Sequence, residues 1–201
     1  MSQQKDRDRL TMKTLLNKQT EPSEQALKAV AHMPTKSLPS LMDEEFAQGL
    51  SDADFMRVAV LLAQKSYDEG GCPIGAVIVH NPTGRIVGKG HNTLVQEEHP
   101  YNHGETSALR DAGRIDFSDT TIYTSLSPCE VCATLLFMRG FGRVVVGDMT
   151  NASGTEAFLQ EKGIQVDILE DQQGIELYAR FRAQKPELDT EDWQGVRASQ
   201  R

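Results

Sequence analysis

Two short stretches crowd reactive side chains together: His103-Gly104-Glu105 and Pro128-Cys129-Glu130-Val131-Cys132. Cys129 and Cys132 are three apart, so on a helix they share a face and both thiolates can reach one ion. A helix N-terminus favours negative charge and lowers thiol pKa values, which helps hold two thiolates together. The His103 imidazole brings the protein ligands to three, the number a catalytic Zn2+ takes when its fourth position is left for water. Zinc lowers the pKa of that water from ~15.7 towards roughly 7. Glu105 sits two residues from a ligand without being one, and a carboxylate there can take the water proton and hand it on to a leaving group.

Each stretch also has a simpler reading. A lone C-x-x-C could be a redox pair, although that motif belongs near the first βαβ unit of a thioredoxin-like fold and here comes late in the chain. A structural zinc site needs a fourth ligand, for which His91 or His99 is available, and leaves Glu105 without a task. Asn102-x-x-Glu105 and Ser127-x-x-Glu130 both read as capping boxes. Taken together, H-x-E and P-C-x-x-C lie 26 residues apart from His103 to Cys129, at two helix starts with a strand between, and this is the pattern of the zinc deaminases.

The elements that must position these groups follow from the apolar spacing. A capping pattern at Ser51-Asp52-Ala53-Asp54 opens a helix with apolar residues at 55, 56, 59, 62, 63 and 67, stopped by Gly70-Gly71. Segments 74–80 and 85–91 suit strands joined by the turn Asn81-Pro82-Thr83-Gly84. Helix 103–112 ends at Gly113, strand 121–126 follows, and helix 128–139 ends at Gly140. Strand 143–147, helix 155–162, strand 164–169 and helix 171–183 complete an α/β sheet covered on both faces, opening with an antiparallel hairpin.

Composition bounds the rest. The 201 residues include 38% hydrophobic and 25% charged, an ordinary globular mixture. The longest apolar runs, at 58–63 and 135–138, fall far short of the ~20 residues of a membrane helix. Five Lys and Arg against two Asp in the first twenty residues cancel two Lys against five acids in the next thirty, so residues 51–201 hold the whole net charge of −8. That disfavours a partner bound through phosphates, since such binding needs clustered cations. Three cysteines cannot close a disulfide framework, which suits a reducing cytoplasm; Cys72 reads as a small buried residue. Residues 1–50 are polar with Pro22, Pro34 and Pro39 and read as an N-terminal extension, partly disordered; 51–184 form the zinc domain, and 185–201 a C-terminal tail.

The stretches HGETSALRDAGR, DTTIYTSLSPCEVC, GGCPIGAVIV, GKGHN and FLQEKGIQVDILED together resemble the free-base cytosine deaminases of the fungal type, within the cytidine deaminase superfamily. The resemblance runs from about residue 51 to 193 and implies a three-layer α/β/α sandwich around a five-stranded mixed sheet, a cytoplasmic homodimer with one zinc per subunit, and a part in pyrimidine salvage. It implies His103, Cys129 and Cys132 as zinc ligands and Glu105 as the proton shuttle. It also implies Asn92, the Gly104 backbone and the Ser127 carbonyl as contacts to the ring, with Asp192 accepting from the substrate amine. The reaction expected is cytosine to uracil plus ammonia, without nucleic acid or membrane as partner. The aromatic residues with which that family closes its pocket are absent: their positions read Ala152 and Leu188 or Asp189, with Trp193 nearby. Guanine, creatinine or a pterin are therefore alternative rings; a tRNA adenosine deaminase and a non-catalytic zinc module are the remaining readings.

Overall fold

The computed structural model describes residues 50–189. Along the chain run α1 (Asp52–Asp68), β1 (Gly75–His80), β2 (Arg85–His91), α2 (Gly104–Ala112), β3 (Thr120–Thr124), α3 (Glu130–Arg139), β4 (Arg143–Val146), α4 (Glu156–Glu161), β5 (Gln165–Ile168) and α5 (Gln172–Gln184). The five strands form one mixed sheet in the order β2-β1-β3-β4-β5. β1 is antiparallel to both β2 and β3, while β3, β4 and β5 run parallel.

Strand alternation sorts the core into two layers. Val77 and Val79 of β1, Tyr123 of β3 and Val145 of β4 pack with Phe55, Met56 and Ala59 of α1. Their neighbours Ala76, Ile78, Ile122, Val144 and Val146 pack on the other side with Ala108 of α2, Ala133 and Leu136 of α3 and Leu159 of α4. α5 joins α1, Gly174 letting Val60 approach. Helices thus cover both faces of the sheet, the three-layer sandwich expected.

Ser51 caps α1 with the full box to Asp54, and Leu50, assigned to the extension by composition, packs against the α1 core. Helices α2 and α3 begin one and two residues later than the pattern suggests, because His103 and Cys129 have extended backbones and serve as N-caps. Two prospective metal ligands therefore stand at helix entrances, where they are held by the chain on both sides. Gly140 closes α3 at φ 78°, the left-handed conformation expected of a helix-ending glycine.

Antiparallel and parallel pairing together bring one end of four strands to a common edge. There lie Ile74 before β1, His91 and Asn92 at the end of β2, Thr124 to Ser127 after β3, and Gly147 and Asp148 after β4. Crevices beyond the carboxyl ends of strands are the usual ligand site of open α/β sheets.

Candidate active site

His103 and Cys129 converge at that edge from the starts of α2 and α3, and Cys132 reaches in from the first turn of α3. The Sγ atoms of Cys129 and Cys132 lie 3.5 and 3.6 Å from His103 Nδ1. A tetrahedral Zn2+ with about 2.3 Å to sulfur and about 2.0–2.1 Å to nitrogen needs roughly 3.6 Å between such donors, so the arrangement fits that ion. His103, Cys129 and Cys132 are the group of metal-capable side chains among the described residues, and neither His91 nor His99 belongs to it. His91 is engaged elsewhere, with Nε2 2.8 Å from Lys65 Nζ and Nδ1 3.0 Å from the Asn92 carbonyl; His99 accepts from the Tyr101 N–H. Three donors with no fourth among the described residues match an open catalytic site rather than a closed structural one.

Electrostatics at the pair point the same way. The hydrogen bond from Cys132 holds the Cys129 thiol down to about 4, while that bond and burial push Cys132 well up. A divalent cation supplies the charge that lets both be thiolates.

Glu105 is 3% exposed, on the first turn of α2. Burial raises its carboxyl pKa, the Cys129 charge adds to the rise, and His103 opposes it. Thr124 Oγ1 donates to Glu105 Oε1 at 2.9 Å. The capping reading does not hold: neither His103 nor Cys129 makes a side-chain cap, the Asn102 amide donates to Glu97, and the Ser127 hydroxyl donates to Glu156. Glu105 is left facing the sulfur pair.

The other expected ring contacts lie around this centre. Asn92 is fully buried; its N–H donates to Ile74 O at 2.8 Å, and its carbonyl accepts from Ser66 Oγ at 2.6 Å. Its Oδ1 also accepts from the Leu94 N–H, so the residue closes a turn as well as lining the edge. Gly104 passes so close to Ile74 that a Cβ there would stand 3.1 Å from the Ile74 carbonyl oxygen. Ser127 is buried, its N–H donating to the Asp148 carbonyl at 2.9 Å. Asp192 and Trp193 lie outside the described residues. Ala152 and Leu188 pack on the cluster of Cys72, Ile74, Leu126, Tyr178 and Phe181, beside the same edge. Cys72 is buried, as its type suggested, with its sulfur 3.8 Å from the Tyr178 hydroxyl.

Residues 50–148 match the family model of the cytidine and deoxycytidylate deaminase zinc-binding region. The chain is 43% identical over 144 residues to the cytosine deaminase of Candida albicans, covering 70% of this chain and 95% of that one. The chain belongs to the cytidine deaminase superfamily. Within it, the deaminase is also 30% identical over 145 residues to the tRNA-specific adenosine deaminase of Bacillus subtilis, covering 65% of this chain and 89% of that one. Its fold is shared with a guanine deaminase from Nitrosomonas europaea at a TM-score of 0.59 and 18% identity, over 67% and 85% of the two chains. This deaminase is a zinc-dependent hydrolase, and its His-Cys-Cys cluster fits the ion that the family binds.

Thr124, Asp148, Thr155 and Glu156 were not singled out in the sequence. Thr124 lies in a strand rich in threonine, where β propensity explains it fully. Asp148 lies in the loop after β4, and Thr155 and Glu156 stand at the start of α4, none of them in a motif.

Proposed function

We propose that this deaminase converts cytosine to uracil and ammonia. The observation that carries the reading is the buried Glu105 carboxyl beside a three-donor zinc cluster, at a strand edge where Asn92, Gly104 and Ser127 also meet. The likeness to the Candida albicans cytosine deaminase supports the choice of ring. His103, Cys129 and Cys132 hold the metal in this reading. When bound, zinc supplies Lewis acidity that makes water acidic enough to give up a proton near neutral pH.

The residues divide the remaining work. The Asn92 amide and the Gly104 N–H orient the ring through its carbonyl and N–H, and the Ser127 carbonyl accepts from the substrate amine, with Asp192 accepting from the same amine. Glu105 takes one proton from water and delivers it to the ring nitrogen, then carries the second to the amine. A C–O bond forms at the amidine carbon, the C–N bond breaks, and ammonia leaves. Thr124 keeps one Glu105 oxygen fixed, so the proton is moved by a carboxyl of set orientation.

The enzyme acts as a homodimer in this proposal. Val131, Phe137 and Met138 of α3 and Ile115 after α2 are exposed large apolar side chains, and Ile115 and Met138 line one surface depression, apolar exposure of the kind that a protein interface covers. We further place it in the cytoplasm, in pyrimidine salvage, with small nucleobase-like molecules as partners. Three free thiols suit a reducing compartment, and no described helix is long and apolar enough to cross a membrane. The divisions at 50 and 184 are part of the same reading, residues 185–201 contributing to the pocket.

Ammonia release from cytosine, guanine, adenine, creatinine and aminated pterins tests the substrate. Cytosine should react fastest, by at least tenfold. Faster release from another ring would replace cytosine by that ring, and a zinc-loaded protein inert towards all of them would be a non-catalytic zinc module.

A further inference from the structure

The segment from Ser127 to Pro128 joins β3 to the cysteine helix, and it is held from outside the site already described. Three bonds reach it from the loop after β4 and the start of α4. Asp148 accepts from the Ser127 N–H at 2.9 Å, Glu156 Oε1 accepts from the Ser127 hydroxyl, and Thr155 Oγ1 donates to the Pro128 carbonyl at 2.7 Å. Ser127 and Glu156 are only 4% and 8% exposed.

Glu156 is itself fixed. Its second oxygen accepts from the Gly154 N–H at 2.8 Å. The loop that presents it is anchored by the fully buried Asp148, whose carboxylate takes the N–H groups of Thr150 and Asn151 and the Asn151 amide at 2.7–3.0 Å. Asn151 continues outward: its carbonyl accepts from Arg182, which pairs with Asp189 at 3.0 Å. A buried carboxylate desolvated without partners is costly, and one taking donors on both oxygens is both stabilised and directional.

A carbonyl points where the dihedrals on either side of it allow. Pro128 fixes its own φ and has no N–H to give. Bonds to the N–H and hydroxyl of Ser127 and to the carbonyl of Pro128 therefore restrain the remaining rotations of the peptide that carries the Ser127 carbonyl.

We propose that Glu156 is a positioning residue for the substrate amine, acting through the Ser127 hydroxyl to aim the Ser127 carbonyl. The proposal rests on the reading of that carbonyl as the amine acceptor. It adds a residue, outside both zinc motifs, on which recognition of the amino group depends.

The test uses the zinc-loaded full chain and the variants Glu156→Ala, Glu156→Gln, Ser127→Ala and the Ala/Ala double. Glu156→Ala should raise KM for cytosine about tenfold, with a smaller fall in kcat and zinc still at one per chain. Glu156→Gln can accept from the Gly154 N–H with its amide oxygen while its NH2 donates to the Ser127 hydroxyl oxygen, and it should restore most of the loss. Because one residue acts through the other, the double variant should be no worse than the poorer single. Unchanged KM in Glu156→Ala, a Gln variant as poor as Ala, or additive effects would each overturn the proposal. If Glu156→Ala does not fold, Ser127→Ala decides, and a wild-type KM there overturns it. Hydrogen exchange over residues 125–133 separates this outcome from failure of the cytosine reading. Should the wild type release ammonia from no ring, faster exchange confined to that segment in Glu156→Ala, and absent in Glu156→Gln, still supports the clamp. Unchanged exchange refutes it.

Discussion

At the residue scale the chemistry concentrates on one carboxyl among three metal donors. Glu105 is buried, that burial raises its carboxyl pKa, and Thr124 donates to one of its oxygens, so the group is held in a set orientation beside the metal donors. Glu105→Gln keeps the volume and the three donors but removes the base. Zinc content measured by metal analysis should stay at one per chain while kcat falls at least ~10²–10⁴-fold, and a variant of normal activity would end the assignment. The metal-binding part of this centre was legible because ligand chemistry needs particular residue types at particular spacings. Asn92 was legible only through the resemblance, since a buried turn asparagine and a ring-reading one look alike in sequence; the structure gives it the turn bond to Leu94 as well. Thr124 and Glu156 could not be found that way, because a threonine in a strand and a glutamate at a helix start each have an ordinary explanation.

At the scale of elements, the site depends on how closely α2 lies on β2. A Cβ at Gly90 would stand 2.5 Å from Ala108 N and 2.5 Å from Ser107 Cβ, atoms of a helix that cannot give way without moving as a whole. Gly90→Ala should therefore push α2 outward, costing roughly 1–3 kcal/mol of stability as overpacking does, and it should displace His103 and Glu105 together. Urea denaturation and zinc retention measure both effects; a variant with wild-type values of each would show that α2 is not seated by this contact. Helix and strand order followed from periodicity and from the Gly stops at 113, 140 and 163. The starts of α2 and α3 did not, because His103 and Cys129 carry no side-chain cap and only their backbone conformation marks them as caps.

Across the whole molecule, Asp52 at the start of α1 is tied to Arg143 of β4 by two bonds of 2.9 and 2.7 Å, and Tyr123 donates to it from β3. The Arg143 bond lowers its pKa, burial opposing. A carboxyl depressed in the folded state binds fewer protons there than in the unfolded chain, so its contribution is complete above the unfolded value near ~3.9 and is lost as the pH falls through the folded one. Denaturation of Asp52→Asn and wild type across pH should give a constant difference above about pH 5 that closes towards pH 2; a difference independent of pH would assign it to packing. On the outer surface, Met138→Glu should convert the proposed dimer to a monomer in sedimentation, and a wild type already monomeric would remove the α3 face from consideration. From the amino-acid sequence came the donor set, the carboxyl proposed as proton carrier, the alternation of strands and helices and the family, because each rests on local chemistry or on a period of two or 3.6 residues. The folded chain alone shows that His91 and His99 stand apart from the metal cluster, that neither capping box at the site forms, and that the loop after β4 and the start of α4 hold Ser127. Two of the contacts, Lys65 with His91 and Ser127 with Glu156, join residues 26 and 29 apart, and they exist only once strand pairing has brought the chain ends of β1 to β4 to one edge.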